Sequence, residues 1–564
     1  MATISGKPNL FFVTSPRSPD KMIDEVKVLV ENFAGEKWVR NRQLQEDFYK
    51  QLASEDFFTG TLTGEIDFKA RDRITRGPKS LGLVDLSPQI ALTDAGRAYV
   101  YGKHPHEIFT RQLLKFQFPS PYHIDKEAVF FVRPYLELFR LIYDLETLSK
   151  DEIAAFATQL IHFNKYDKVR RKIENFRHDV SELERGRTNY KRHFDEVFSK
   201  EIISIYAERI GSGDIQLRES RSTTTEKFIR TKKNNHKDYA DAAIRYLRET
   251  QLISLTSGRS NRIYIPEEKK AEVSFIIENV PREPHFTINV NKYKSYLFNA
   301  SLPILYTDDR NRLIEAILKL SPEQSRSTLM SWTLDDLKDL KENIIQEKLD
   351  AAIVMQINQL QLYEEYDDII ATYADIKARN VFDAPLSMEW NTWRAFVMLD
   401  DGEIVGNFRF DDVGRPLSTA AGNQADIVCT YQDFDILVEV TLSAGKRQYE
   451  TEGEPVARHL GEHQKQSSKD SYCIFIASKL NDATLSHFFM LHKYDVAYYG
   501  GRARIIPLSL QDFQIFLEQA YSYDPKPTAA TIKAFVQKAS DLALESSSEV
   551  EWYEGVRSLM SSWV

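Results

Sequence analysis

Two acidic side chains stand inside apolar runs in NQADIVCTYQDFDILVEVTLS, residues 423–443: Asp426 opens one run and Glu439 lies within the next. DIVCTY and FDILVEVT have the β-branched, aromatic character of strands, and Gln432–Asp433 between them suits a two-residue hairpin turn. With that turn, Asp426 falls directly opposite Glu439 on one face, with Cβ atoms about 4.5–5.5 Å apart. Two ionised carboxylates about 5 Å apart repel by roughly 3 kcal/mol at an effective dielectric of about 20. A divalent cation with hard oxygen ligands, Mg2+ in particular, turns that repulsion into a binding site. A turn one residue longer sends the two side chains to opposite faces and leaves two unrelated carboxylates on an edge hairpin. Hairpin geometry alone leaves both readings open.

A second pattern with chemical content lies close by. His459, Glu462 and His463 in HLGEH satisfy the inverted zinc-peptidase arrangement H-x-x-E-H. That arrangement needs a buried helix, whereas QKQSSKDS follows here and Gly461 costs about 1 kcal/mol relative to Ala in a helix. No G-x-x-x-x-G-K-[ST] loop occurs, so no ATP-driven step is expected.

The elements that must position these groups follow from length and patterning. At 564 residues the chain should form two to four domains, and 42% hydrophobic content with 33 Phe and 27 Tyr supplies packed cores. YCIFIAS and RIIPLSL read as outer strands of a mixed sheet flanked by helices. The two cysteines, Cys429 and Cys473, support neither a disulfide framework nor a zinc site, which fits a reducing cytoplasm. LFFV is the longest apolar run near the N-terminus, too short for a signal peptide, and no run reaches membrane-spanning length.

Net charge is −9, yet basic residues cluster. Residues 165–200 carry 11 basic against 7 acidic side chains, and residues 216–248 carry 9 against 4. Residues 68–100 and 227–265 share a pattern: a basic segment or amphipathic helix, then two short apolar runs separated by a turn. Helix followed by a two-stranded wing is the winged-helix pattern, in which Lys227, Arg230, Lys232 and Lys233 would meet DNA phosphates. In the second segment Tyr239, Ala243, Tyr246 and Leu247 mark one helix face. Winged helices also dock proteins, so a regulator without catalysis accounts for this half alone. TLDD at Thr333 to Asp336 is a capping box that opens a helical, acid-rich connector.

An Asp at a strand start followed by a Glu inside the next strand resembles the core of the PD-(D/E)xK nucleases. More specifically, SPRSPDK at residue 15, RDR at Arg71 to Arg73, MEWNTW at Met388, AAGNQAD at Ala420, EVT at Glu439 and EPVARH at Glu454 resemble the AlwI-type family of type IIS restriction and nicking endonucleases. These blocks keep their order across almost the whole chain. The resemblance implies Mg2+-dependent hydrolysis of a DNA phosphodiester outside a short asymmetric sequence read by the N-terminal half. It implies that Asp426 and Glu439 hold the metal, that Glu389 of MEWNTW completes the site, and that Glu452 is a further acidic member. Arg17, Arg71 and Arg73 join the candidate DNA contacts. Ala425 replaces the Pro of PD, which ligates nothing, and Thr441 stands where the motif usually has Lys. Lys446, Arg458 or a metal then has to supply the missing cation.

The expected fold is multidomain α+β. Residues 1–125 and 126–290 form two winged-helix-like recognition subdomains, 291–375 a helical linker, and 376–564 a C-terminal α/β nuclease domain. The expected partners are double-stranded DNA and, for cutting both strands, a second copy of the chain or a small second nuclease subunit. Membrane and ATP play no part, and the setting is the bacterial cytoplasm.

Overall fold

The computed structural model describes residues 2–564 apart from 56, 59, 61, 184–185, 218–222, 257–261, 400 and 420–423. The wing turn SGRSN and the AAGN of AAGNQAD lie outside the described residues. The chain divides into two compact units, Met1–Ile345 and Gln346–Val564. Among the described residues no helix is long and apolar enough to cross a membrane.

The N-terminal unit holds two sets of helices, each followed by a pair of short antiparallel strands. In the first set, α1 (Met22–Phe33), α2 (Arg42–Ala53) and α3 (Ile66–Arg76) precede β1 (Val84–Asp85) and β2 (Ala91–Leu92). Asn41 caps α2 by accepting from the Leu44 N–H, and α2 buries Phe48, Tyr49 and Leu52. Helix α3 buries Ala70 and Ile74 while Phe68 and Arg71 stay exposed. Backbone bonds from the Gly35 N–H to the Ile90 oxygen and from the Ile90 N–H to the Glu36 oxygen tie the α1–α2 connection to the strands.

The second set comprises α4 (Pro134–Leu145), β3 (Thr147–Leu148), α5 (Lys150–Ala155), the inserted α6 (Arg187–Ile205), α7 (Thr225–Arg248), β4 (Ser254–Leu255) and β5 (Ile263–Tyr264). The strands pair antiparallel in the order β3-β5-β4. Thr224 caps α7 through the Lys227 N–H. Its Ala243, Tyr246 and Leu247 are buried, as the helical spacing requires. Farther along, Thr333 and Asp336 cap each other's backbone N–H groups at the start of α8 (Leu334–Gln361), the capping box read from TLDD.

The C-terminal unit is a five-stranded mixed sheet in the order β10-β9-β8-β7-β6, comprising β6 (Glu403–Gly406), β7 (Ile427–Thr430), β8 (Phe434–Thr441), β9 (Asp470–Ala477) and β10 (Ile505–Ser509). Strands β6, β7 and β8 run antiparallel, and β8, β9 and β10 run parallel. A parallel step needs a crossover, which α10 (Lys446–Gln466) supplies between β8 and β9 and α11 (Asp482–Lys493) between β9 and β10. Helix α9 (Ala384–Leu399) precedes β6 and packs on the sheet. Strand β9, expected among the outer strands, lies inside the sheet between β8 and β10. Its seven buried residues in succession are the signature of a strand covered on both faces.

Gly461 has a packing reason in α10. A Cβ there would lie 2.8 Å from the Tyr499 Cα and 2.9 Å from its carbonyl oxygen. Close helix-to-backbone approach outweighs the helix preference for Ala. Gly461→Ala should therefore destabilise the protein by about 1–3 kcal/mol through overpacking. Thermal unfolding reads this directly, and a variant as stable as wild type or more so would refute the close-packing account.

Candidate active site

The β7–β8 hairpin determines which side chains meet. Its register runs from Ile427 opposite Val438 to Thr430 opposite Asp435, closed by the bond from the Tyr431 N–H to the Phe434 oxygen. One step beyond Ile427, the same register puts Asp426 opposite Glu439. Asp426 is held in place by the Val440 N–H, which donates to its Oδ2 at 2.8 Å. The Glu439 carboxyl is almost wholly buried, and its Oε1 lies 2.7 Å from Nδ1 of His459 on α10. Glu452, on the same stripe of α10 as His459, accepts at Oε1 from the Thr441 hydroxyl at 2.9 Å. Glu452 and His459 are seven residues, about two turns, apart on α10, and they project toward the last residues of β8.

Burial first, and then the facing Glu439 carboxylate, lifts the Asp426 carboxyl well above the usual range. Glu452 adds to this, while the Val440 N–H and His459 oppose it. Burial and then Glu452 lift Glu439 likewise, against the pull of Arg458. Burial, followed by Arg458, lowers His459. Both shifts favour the uncharged forms of Glu439 and His459.

The donor chemistry fits a hard divalent ion. Asp426 and Glu439 offer oxygen ligands from the β7–β8 hairpin, and the nearby Cys473 of β9 is a buried thiol whose pKa is raised by that burial. Among the described residues, no group of three or more His, Cys, Asp or Glu side chains is disposed to hold a metal ion unaided.

HLGEH serves a different purpose from a zinc site. His459 faces Glu439, whereas His463 Nε2 lies 3.0 Å from Asp435 Oδ2, four residues back along β8. The Ser467 hydroxyl donates to the same Asp435 oxygen at 2.8 Å. Glu462 lies 3.8 Å from Arg458 on its own helix. The two histidines thus fasten α10 to two separate carboxylates of β8 and do not converge on one ion.

Glu389 is buried on α9. Lys446 is exposed at the first turn of α10, and Arg458 is the cation that acts on Glu439. His459 and Thr441 are members of the cluster that sequence reading assigned elsewhere or treated as a departure. The seven-residue spacing from Glu452 to His459 is the signal that could have found the first. Nothing in the sequence marks the Thr441–Glu452 bond.

The candidate DNA contacts have unequal surroundings. Lys227 and Arg230 are exposed on α7. Lys232 lies over the Tyr206 and Phe228 rings at 5.0 and 5.1 Å, where burial and then Arg209 lower its ammonium. Lys233 pairs with Asp195 and donates to the Ser199 hydroxyl at 3.1 Å. Both lysines are therefore engaged on α6 or on aromatic rings. In the first set, Arg73 pairs with the buried Glu25, Arg71 with Asp67 at 3.0 Å, and Arg17 is exposed.

Comparison with known proteins completes the picture. No curated protein sequence matches the chain. One similar solved structure is the small subunit, R.BspD6I2, of the heterodimeric restriction endonuclease R.BspD6I, at 25% identity over 34% of this chain and 97% of that one, with a TM-score of 0.30. Another is the BpuJ1 endonuclease binding domain in complex with pyrene- and phenanthrene-modified DNA, at 16% identity over 52% of this chain and 96% of that one, with a TM-score of 0.33. The model of the AlwI restriction endonuclease family matches residues 79–516. With the match spanning well over half of the sequence, the chain belongs to the AlwI restriction endonuclease family and is a type II site-specific deoxyribonuclease.

Proposed function

We propose that this endonuclease requires Mg2+ and cuts a phosphodiester bond a few bases outside a short asymmetric site, as a type IIS or strand-specific nicking enzyme. The observation that carries the reading is the facing pair Asp426 and Glu439, two buried-edge carboxylates that repel each other unless a cation lies between them. When bound, Mg2+ supplies Lewis acidity at the scissile phosphate and a nucleophile usable near neutral pH. The chain's own residues do the rest. The Val440 N–H orients Asp426, His459 orients Glu439, and Thr441 holds Glu452 at the edge of the site. Arg458 is the cation proposed to take the place of the motif lysine, and Glu389 a further carboxylate from α9. The α9-β6-β7-β8-α10-β9 order supports a PD-(D/E)xK core in residues 376–564.

Residues 1–125 and 126–290 are the proposed readers, each a winged-helix module, joined to the nuclease by 291–375. Support comes from element order: α1, α2 and α3 lead into the β1–β2 pair, and α4, β3, α5 and α7 lead into β4–β5. In such modules the third helix enters the major groove. Lys227, Arg230, Lys232 and Lys233 on α7 are the proposed phosphate contacts. One carboxylate pair cuts one strand. Double-strand cleavage then takes a second nuclease domain, from another copy of the chain or from a small subunit.

Asp426→Ala and Glu439→Ala should each lower cleavage by several orders of magnitude while DNA affinity stays within a few-fold, as plasmid nicking and gel-shift titration will show. Cleavage within tenfold of wild type would end the assignment. Metal and pH act together on stability. Because the folded pKa values of Asp426 and Glu439 are raised, the metal-free protein is most stable where both are protonated, and loses stability as pH climbs above the ordinary carboxylate value of about 4. Melting curves in EDTA between about pH 5 and pH 8 should therefore fall more steeply for wild type than for Asp426→Asn, and Mg2+ should recover the difference. Equal slopes would remove the carboxylate repulsion from the account. On the recognition side, replacing Lys232 and Lys233 together by Ala, or Lys227 and Arg230 together, should flatten the salt dependence of binding by about one to two units. An unchanged slope would move the phosphate contacts.

A further inference from the structure

The outward face of α3 borders a cleft of about 440 Å³ that also takes in the loop from Thr14 to Arg17. Among the described residues, four cations line it, namely Arg17, Lys69, Arg73 and Arg76, together with Phe68, which is 44% exposed, and one carboxylate, Asp72. Phe68, Asp72 and Arg76 follow one another at four-residue spacing and so share one stripe of the helix.

A surface that only tracks phosphates gains nothing from a carboxylate, which repels the backbone it must approach. A surface that reads bases does gain from one, because a major-groove amino group needs an acceptor and no Lys or Arg can provide it. Asp72 is also held in position. It pairs with Arg76 and accepts from the Ser15 hydroxyl, and burial raises its carboxyl above the usual range. Arg76 in turn donates to the Thr14 hydroxyl at 3.1 Å. The loop beneath is anchored from the second helical set, where the Tyr246 hydroxyl donates to the Pro16 oxygen at 3.0 Å. At the end of α3, Gly77 leaves room for the Ser15 carbonyl, which a Cβ would meet at 2.7 Å. A half-buried acceptor on the cleft side of a helix, fixed by a braced loop among cations, is a preorganised base reader.

We propose that Asp72 accepts a hydrogen bond from the exocyclic amino group of one base of the recognition sequence, N4 of cytosine or N6 of adenine, exposed in the major groove. This rests on the N-terminal unit being the DNA reader. The residue is specificity-determining and takes no part in hydrolysis.

The test selects duplexes bound by the full-length chain in EDTA from a library with randomised sites, followed by sequencing, for wild type, Asp72→Ala and Asp72→Asn. Thermal melts confirm that each variant is folded. The wild-type consensus should contain a cytosine or adenine whose preference falls roughly ten- to hundredfold in Asp72→Ala, with every other position kept. Which base occupies that position identifies the amino group. Asp72→Asn, isosteric but carrying a donor beside its acceptor, should shift the same position toward adenine. Unchanged consensus sequences in both variants overturn the proposal, and so does an even weakening at every position, which is what a purely structural partner of Arg76 would produce. A wild-type chain that yields no consensus at all overturns the DNA-reading function itself, and this assignment with it.

Discussion

Two carboxylates held face to face across a hairpin are a source of strain that the C-terminal unit is organised around. The two-residue turn at Gln432–Asp433 sets the register, and the register brings Asp426 to Glu439. A single-residue slip would send one of them to the opposite face of the sheet, so the site depends on turn length as much as on side-chain identity. Strand β8 lies in the interior of the sheet, paired with β7 on one side and β9 on the other. Ladder bonds on both edges keep the hairpin from relieving the repulsion by twisting away.

Helix α10 shares this work. As the crossover between parallel strands it lies along β8, where it buries Val456, Ala457 and Leu460 in the core and makes polar contacts of His459 with Glu439, His463 with Asp435 and Glu452 with Thr441. Each neutral or charged hydrogen bond offsets part of the desolvation of a strand acid that would otherwise be costly to bury. The same contacts aim Glu452 and His459 at the end of the hairpin. Gly461 allows the helix to sit close to its other neighbour, Tyr499.

In the N-terminal unit the basic residues divide by environment. Some are consumed within the protein, as Arg73 is by buried Glu25 and Lys233 by Asp195. Others, such as Arg230, stand on an exposed helix face. A run of positive charge therefore overstates the number of cations a ligand meets, because long side chains also serve as packing and ion-pair partners.

Much of this was legible along the chain. Alternation and turn length determine the hairpin and its register, and both are local properties. Reciprocal side-chain and backbone bonding three residues apart determines the capping box at Thr333 and Asp336, again locally. Family membership, too, was legible in short unusual strings such as MEWNTW and EPVARH. The partners of Glu439, Thr441 and Lys233 were not, because they lie on elements brought alongside by a crossover or an insertion, at separations where no periodicity carries information. HLGEH shows the difference most clearly. Its spacing puts two histidines on one helix face, but whether they share an ion or clasp two acids depends on the strand beneath them, and only the tertiary structure supplies that strand.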